Sequence, residues 1–366
     1  MTAPPSASPA HLDALTGMRG LAAWLVVLYH IRLSLTGILP PSAIAVLAEG
    51  YLAVDLFFML SGFVLWYNYA PRLRAGGPAE IGAFLWRRVA RIWPLHLFIL
   101  ALFVGFALLL VATGRDTAAY PFAELPLHLL LLQNWGFTEA LSWNDPAWSI
   151  SAEMAASLLF PFVVLAADWE RWPTPALVAL GIALLGAIAL WFGLHGATAL
   201  GADIAQLGLM RCLLEFALGN VLCLVWLRWR DHARAAPIAA AAGAAALVIG
   251  VALRWPETAF VPAAFVTGLL ALALGRGAVV RTLAHPALRY LGEISYSTYL
   301  AHSFLFLGFK LAFVDASLQV GWVGLIGFLV LVLVASIALY HGVERPAQRR
   351  LGRWRLRRPA PAVPAE

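Results

Sequence analysis

The sequence predicts an all-α integral membrane protein of about ten transmembrane helices with both termini in the cytoplasm. Three observations predict it. Charged residues make up 12% of the 366 and apolar ones 62%, whereas a soluble domain carries about 25% and about 45–50%. That is too little charge to cover a water-soluble globule of this length. The apolar residues fall into runs of roughly 20, the length that crosses a bilayer. The cations collect between alternate runs, as the positive-inside rule requires. The net charge of +6 therefore reports topology, and no nucleic-acid partner is expected.

Residues 1–11 read as a disordered tail: Met1 to Asp13 is rich in Pro, Ser and Ala and has no Lys or Arg, so it lacks the basic region of a secretory signal. A single membrane domain, 12–346, follows. Its helices are expected near 14–35, 48–70, 84–113, 146–168, 175–194, 207–228, 236–253, 258–275, 289–314 and 319–342. The longest connection, 114–146, holds an apolar piece at 125–132 that is too short to span. The runs at 236–253 and 258–275 are rich in Ala and Gly, which suits close helix packing in lipid. An even number of spans puts both termini on one side. On that assignment 71–91, 168–174, 228–235, 276–289 and the tail face the cytoplasm and hold nineteen of the 25 cations. Residues 347–366 read as a basic cytoplasmic tail. Cys212 and Cys223 lie within one apolar run, so neither a disulfide framework nor a zinc spacing is present, and no metal is expected.

A charge at the bilayer centre costs roughly 2.5–3.5 kcal/mol on insertion scales, so each one must face protein or a water-filled cavity. Arg19 and His30 are eleven residues apart on the first helix, about three turns, and project from one face about 16 Å apart. Such a stripe holds an anionic group at one end and a proton acceptor at the other. Asp55 must pair with a cation or orient a histidine. Ser61 precedes Gly62 and reads as packing, since no base is assigned to it as a nucleophile. Arg87, Arg88 and Arg91 are expected to open the third helix, where guanidinium groups and a helix N-terminus together suit phosphates; the plain alternative is a positive-inside anchor. Glu153 follows Trp148 and Ser149 into the fourth helix as a proton carrier or histidine-orienting group. Arg211 and Glu215, four apart, are expected to pair with each other. Tyr296 and His302 open the ninth helix among hydroxyls that bond across helices.

Taken in order, these segments resemble a known family, the membrane acyltransferase family 3. The matching residues are Arg19-x10-His30, Val54-Asp55-Leu56-Phe57-Phe58, Leu60-Ser61-Gly62-Phe63 and Arg87-Arg88-x2-Arg91-Ile92-x-Pro94. The match continues through Trp148-Ser149-x3-Glu153, Arg211-x3-Glu215-Phe216-x2-Gly219, Ile294-Ser295-Tyr296-x2-Tyr299-Leu300-x-His302 and Glu344-x-Pro346. The resemblance covers about residues 12 to 346. It implies a ten-helix enzyme of the bacterial inner membrane that moves an acyl group, usually acetyl, from acyl-CoA to a hydroxyl of a carbohydrate or glycosylated acceptor. Acyl-CoA is then a co-substrate, with no permanently bound cofactor. Arg19 and His30 are the pair on which the family is held to depend. Some relatives carry an extra hydrolase-like domain, so a separate extracytoplasmic partner protein is expected where that domain is needed.

The reading that joins these parts puts acyl-CoA phosphates on Arg87, Arg88 and Arg91 and makes His30 the general base or a transient acyl carrier. Asp55 or Glu153 orients it, and Ser61, Trp148, Ser149, Arg211, Glu215, Tyr296 and His302 support the site or the acceptor. A transporter or flippase of a lipid-linked sugar or acylated product is the competing expectation, with the buried charges as a proton relay. Against it, no matched pair of broken helices is seen in two halves of the chain.

Overall fold

A computed structural model describes residues 10–314 and 319–352. The expected N-terminal tail falls largely, and the last fourteen residues of the basic tail wholly, outside the described residues. Among those described there is no strand. The chain runs α1 (Ala10–Ile31), α2 (Pro41–Ala48), α3 (Ala53–Gly76), α4 (Ile81–Ala112), α5 (Leu125–Leu130), α6 (Ala147–Ala166), α7 (Thr174–Leu194) and α8 (Ile204–Trp229). It continues with α9 (Ala235–Ala252), α10 (Glu257–Leu274), α11 (Ala278–Leu283), α12 (Pro286–Glu293), α13 (Ser295–Phe313), α14 (Trp322–Leu339) and α15 (Arg345–Gly352).

Ten of these helices have 18 residues or more, each close to an expected position. Among the described residues, eight stretches are long and apolar enough to cross a membrane, two fewer than the ten spans expected. The difference has two sources. The stretch Pro41–Ala112 counts once but contains both α3 and α4, and α13 begins with Ser, Tyr, Ser, Thr and Tyr. The expected helix at 289–314 is in fact two, α12 and α13, broken at Ile294. After α14 the helix widens into a π-turn, Tyr340–Glu344, before α15.

Polar ties fix the ends of the bundle. On the face that carries α15, Arg74 pairs with Glu170 at 2.5 Å, and Arg228 donates to Thr174 Oγ1 and the Glu170 carbonyl. On the opposite face the Tyr51 hydroxyl donates to Glu257 at 2.5 Å. The 114–146 connection folds inward there: Gln133, Asn134 and Asn144 are buried, and Asn144 donates to the Leu300 carbonyl. Buried apolar side chains of α3, α4, α6 and α8 form one continuous core.

Candidate active site

Two close helix crossings assemble the site, and each depends on missing side chains. A Cβ on Gly62 of α3 would collide with the Phe216 carbonyl of α8, and one on Gly219 of α8 with the Met59 carbonyl of α3. The two backbones therefore approach as only glycine allows. That approach brings Asp55 against Arg211. The guanidinium grips both carboxylate oxygens at 2.7 and 2.6 Å and donates a third bond to the Leu200 carbonyl. The expected pairing of Arg211 with Glu215 does not occur, because the helix crossing offers a bidentate partner that an i,i+4 neighbour cannot match. Glu215 is buried beside them, its carboxylate oxygens without a hydrogen bond among the described residues. Trp148 lies against Arg211, its ring centre 5.6 Å from the guanidinium carbon.

The second crossing docks α1 on α12. A Cβ on Gly292 would strike the Thr16 carbonyl, so the end of α12 sits directly on α1. Arg19 donates twice to the Gly292 carbonyl, at 2.6 and 3.2 Å. Eleven residues along α1, His30 meets α13 ring to ring, its centroid 4.7 Å from that of His302. The one-face expectation for Arg19 and His30 thus has a physical meaning: both reach the continuous segment from Gly292 to His302.

The hydrogen bonds fix the tautomers of this histidine pair. His302 Nδ1 lies 2.6 Å from the Tyr299 carbonyl, and His30 Nδ1 lies 2.8 Å from the Val26 carbonyl. A carbonyl only accepts, so both Nδ1 atoms carry hydrogen. His302 Nε2, 3.2 Å from His30 Nδ1, is then an acceptor that shares the His30 proton, and His30 keeps its lone pair on Nε2. Among the described residues no carboxylate orients His30. Asp55 is held by Arg211 and Glu153 is held elsewhere, so the expectation of an Asp55 or Glu153 partner is corrected: Val26 and His302 do this work.

A cavity of about 930 Å³ lies between α1, α3, α4, α6, α13 and α15. Asn68, Arg72 and Gly352 stand exposed at its mouth, and Phe57, Ile150, Ser149 and Tyr299 line its interior. Among the described residues, five guanidinium groups line it, those of Arg19, Arg72, Arg87, Arg88 and Arg91, against the single carboxylate of Glu153. His30 and His302 are not in the lining. They adjoin it through Tyr299, whose hydroxyl lies 2.7 Å from Ser149 Oγ and 3.1 Å from the Pro146 carbonyl.

The arginines stand differently from expectation. Helix α4 begins at Ile81, so Arg87, Arg88 and Arg91 lie in its second and third turns, past the reach of the positive helix end. Arg88 pairs with Glu153 at 2.5 Å and donates to Ser157; Ser61 also donates to Glu153, at 2.7 Å. Ser61 is therefore a carboxylate partner. Arg91 pairs with Glu344 and lies over the Tyr296 ring, while the Tyr296 hydroxyl donates to the Ile92 carbonyl. Arg87 is 4.0 Å from Glu80. Tyr299 and Glu344 are residues of the site that the sequence did not single out, although both stood inside the quoted motifs.

Comparison with known proteins gives the family of the chain. The acyltransferase domain family matches residues 12–341. The acyltransferase MdmB of Streptomyces mycarofaciens is 30% identical over 96% of the chain and 95% of its own length. The O-acetyltransferase OatA of Staphylococcus aureus is 24% identical over 94% of the chain, which spans 58% of OatA. A protein of Rhizobium radiobacter described as protein 2 in the picA locus is 33% identical over 42% of the chain. No solved structure gives a significant match.

Proposed function

The chain belongs to the acyltransferase domain family and is a membrane O-acyltransferase, and from that premise we propose that the arginine-lined cavity receives acyl-CoA, with acetyl as the acyl group. The observation that carries this reading is the charge of the lining, five guanidinium groups against one carboxylate. Such a wall selects a ligand with several phosphates. A volume of about 930 Å³ suits a cofactor-sized molecule. The phosphates lie among Arg72, Arg87, Arg88 and Arg91, and the thioester arm extends toward Phe57, Ile150 and Tyr299. The mouth is on the face of α15, which the cation distribution assigns to the cytoplasm.

The acceptor is a hydroxyl of a carbohydrate or glycosylated molecule. Its oxygen attacks the thioester carbonyl while His30 Nε2 takes its proton, which is general-base catalysis by a group suited to neutral pH. The Val26 carbonyl and His302 Nε2 hold the opposite edge of the ring, so the imidazolium that forms is already bonded. The tetrahedral intermediate expels the thiolate of CoA, which takes the proton from His30. The Ser149–Tyr299 pair stands between cavity and base, and the two ends of the reaction meet when it parts. The same lone pair on Nε2 also serves a histidine that carries the acyl group.

Saturation binding of CoA to the protein in nanodiscs tests the donor reading. Binding that weakens about tenfold in Arg88→Ala and also weakens with added salt is the expected result. A folded protein that takes up no CoA would overturn it.

A further inference from the structure

The geometry points to Glu344 as the residue that positions Arg91 for the donor, an inference that rests on the acyl-CoA reading of the cavity. Glu344 is 1% exposed, although it lies within a few residues of the surface helix α15. The π-turn Tyr340–Glu344 makes this possible. An extra residue in the turn rotates the carboxylate inward at the point where an ordinary α-helix would carry it elsewhere, and such turns recur at functional sites. Inside, both carboxylate oxygens are engaged: Oε1 takes the Arg91 guanidinium and, at 3.4 Å, the Gln348 amide, and Oε2 takes the Ser297 hydroxyl at 2.7 Å. Glu344 itself does not line the cavity, whereas Arg91 does. The carboxylate therefore acts through Arg91. It fixes one end of the guanidinium fork and leaves the remaining N–H groups to a phosphate.

The Arg88 and Arg91 pairs of α4 are unequal in this respect. Glu153 faces the cavity and an arriving phosphate can displace it from Arg88. Glu344 is walled off behind Arg91 and stays. The π-turn also runs directly into α15, which rims the cavity through Gln348 and Gly352 and is tied to α4 by Trp86 Nε1 donating to the Leu351 carbonyl at 2.8 Å. One short segment thus sets both the anchor of Arg91 and the lip of the mouth.

The test measures CoA affinity and steady-state acetyl-CoA kinetics of the full chain in nanodiscs. Glu344→Gln should weaken CoA binding about tenfold, with the loss in KM and little of it in kcat. Ser297→Ala, which keeps the carboxylate but removes one tether, should weaken binding about threefold. Added to Arg91→Ala, Glu344→Gln should cost nothing further in CoA affinity, because the two act as a unit. Losses that add in the double variant, or CoA affinity unchanged in Glu344→Gln, would overturn the role while leaving the donor reading intact. If Glu344→Gln does not fold, Ser297→Ala decides alone, and unchanged affinity there would overturn the role. Failure of the wild-type protein to bind CoA would instead remove the donor reading, and this role with it.

Discussion

Two of the ion pairs that join helices in this molecule differ in everything except their chemistry. Asp55 and Arg211 lock α3 to α8 with side chains 0% and 1% exposed, a bidentate geometry and a glycine-lined crossing. Arg88 and Glu153 join α4 to α6 with side chains 12% and 22% exposed, a single close contact and a cavity alongside. A dry pair cannot exchange partners, because either charge alone in a low dielectric is too costly. A pair at a wet wall can, since water or a phosphate replaces what the partner gave. The family motif names all four residues alike. Burial divides them into those that hold the bundle and those that face the cavity proposed for the donor.

The sharpest break of that comparison is Arg211→Ala, which strands Asp55 in the core. A loss of about 3–5 kcal/mol is expected, read as little folded protein and a collapsed melting temperature in detergent. If Arg211→Ala melts like wild type, the pair is not structural. A middle effect comes from Glu153→Gln, which frees Arg88 without burying a bare charge. CoA binding should tighten about threefold with melting nearly unchanged; weaker binding would show that Glu153 holds Arg88 in place rather than competing for it. The smallest effect is in pH and lies outside both pairs. His128, in the connection between α4 and α6, is pushed down to about 4 by burial and then by the neighbouring His96. In the unfolded chain it takes a proton near 6.5, so the unfolded state binds the proton first. Stability is thus complete above pH 6.5 and declines as pH falls toward about 4. A shallower decline in His128→Gln, followed by thermal melting from pH 7 to 4.5, is the expected result.

What the sequence made legible follows from how local each signal is. Apolar runs of fixed length declare spans, so ten long helices stood near their expected positions. Alternation of cations declares sides. The eleven-residue spacing of Arg19 and His30 declares a shared face, and the Gly292–His302 segment is what that face meets. Pairing across helices is not local. Arg211 had a carboxylate four residues away, and only the Gly62–Gly219 crossing shows why it takes Asp55 instead. The start of α4 was misplaced because Ile81 to Trp86 continues as helix ahead of the arginines, with a turn at Gly77 that is the true break. Glu344 was visible in its motif but was given no role, because a π-turn leaves no distinctive mark in one sequence. His302 was placed among cross-helix hydroxyls, and its bond to His30 depended on how α13 restarts after Ile294.

The division of labour between an arginine-lined donor cavity and the lone pair on His30 is tested most directly by one paired measurement on His30→Ala, in which CoA binding and acetyl-CoA turnover are read on the same nanodisc sample. The account predicts CoA affinity within about twofold of wild type and CoA release reduced by at least about 100-fold. CoA release at the wild-type rate in His30→Ala would contradict it and take His30 out of the chemistry.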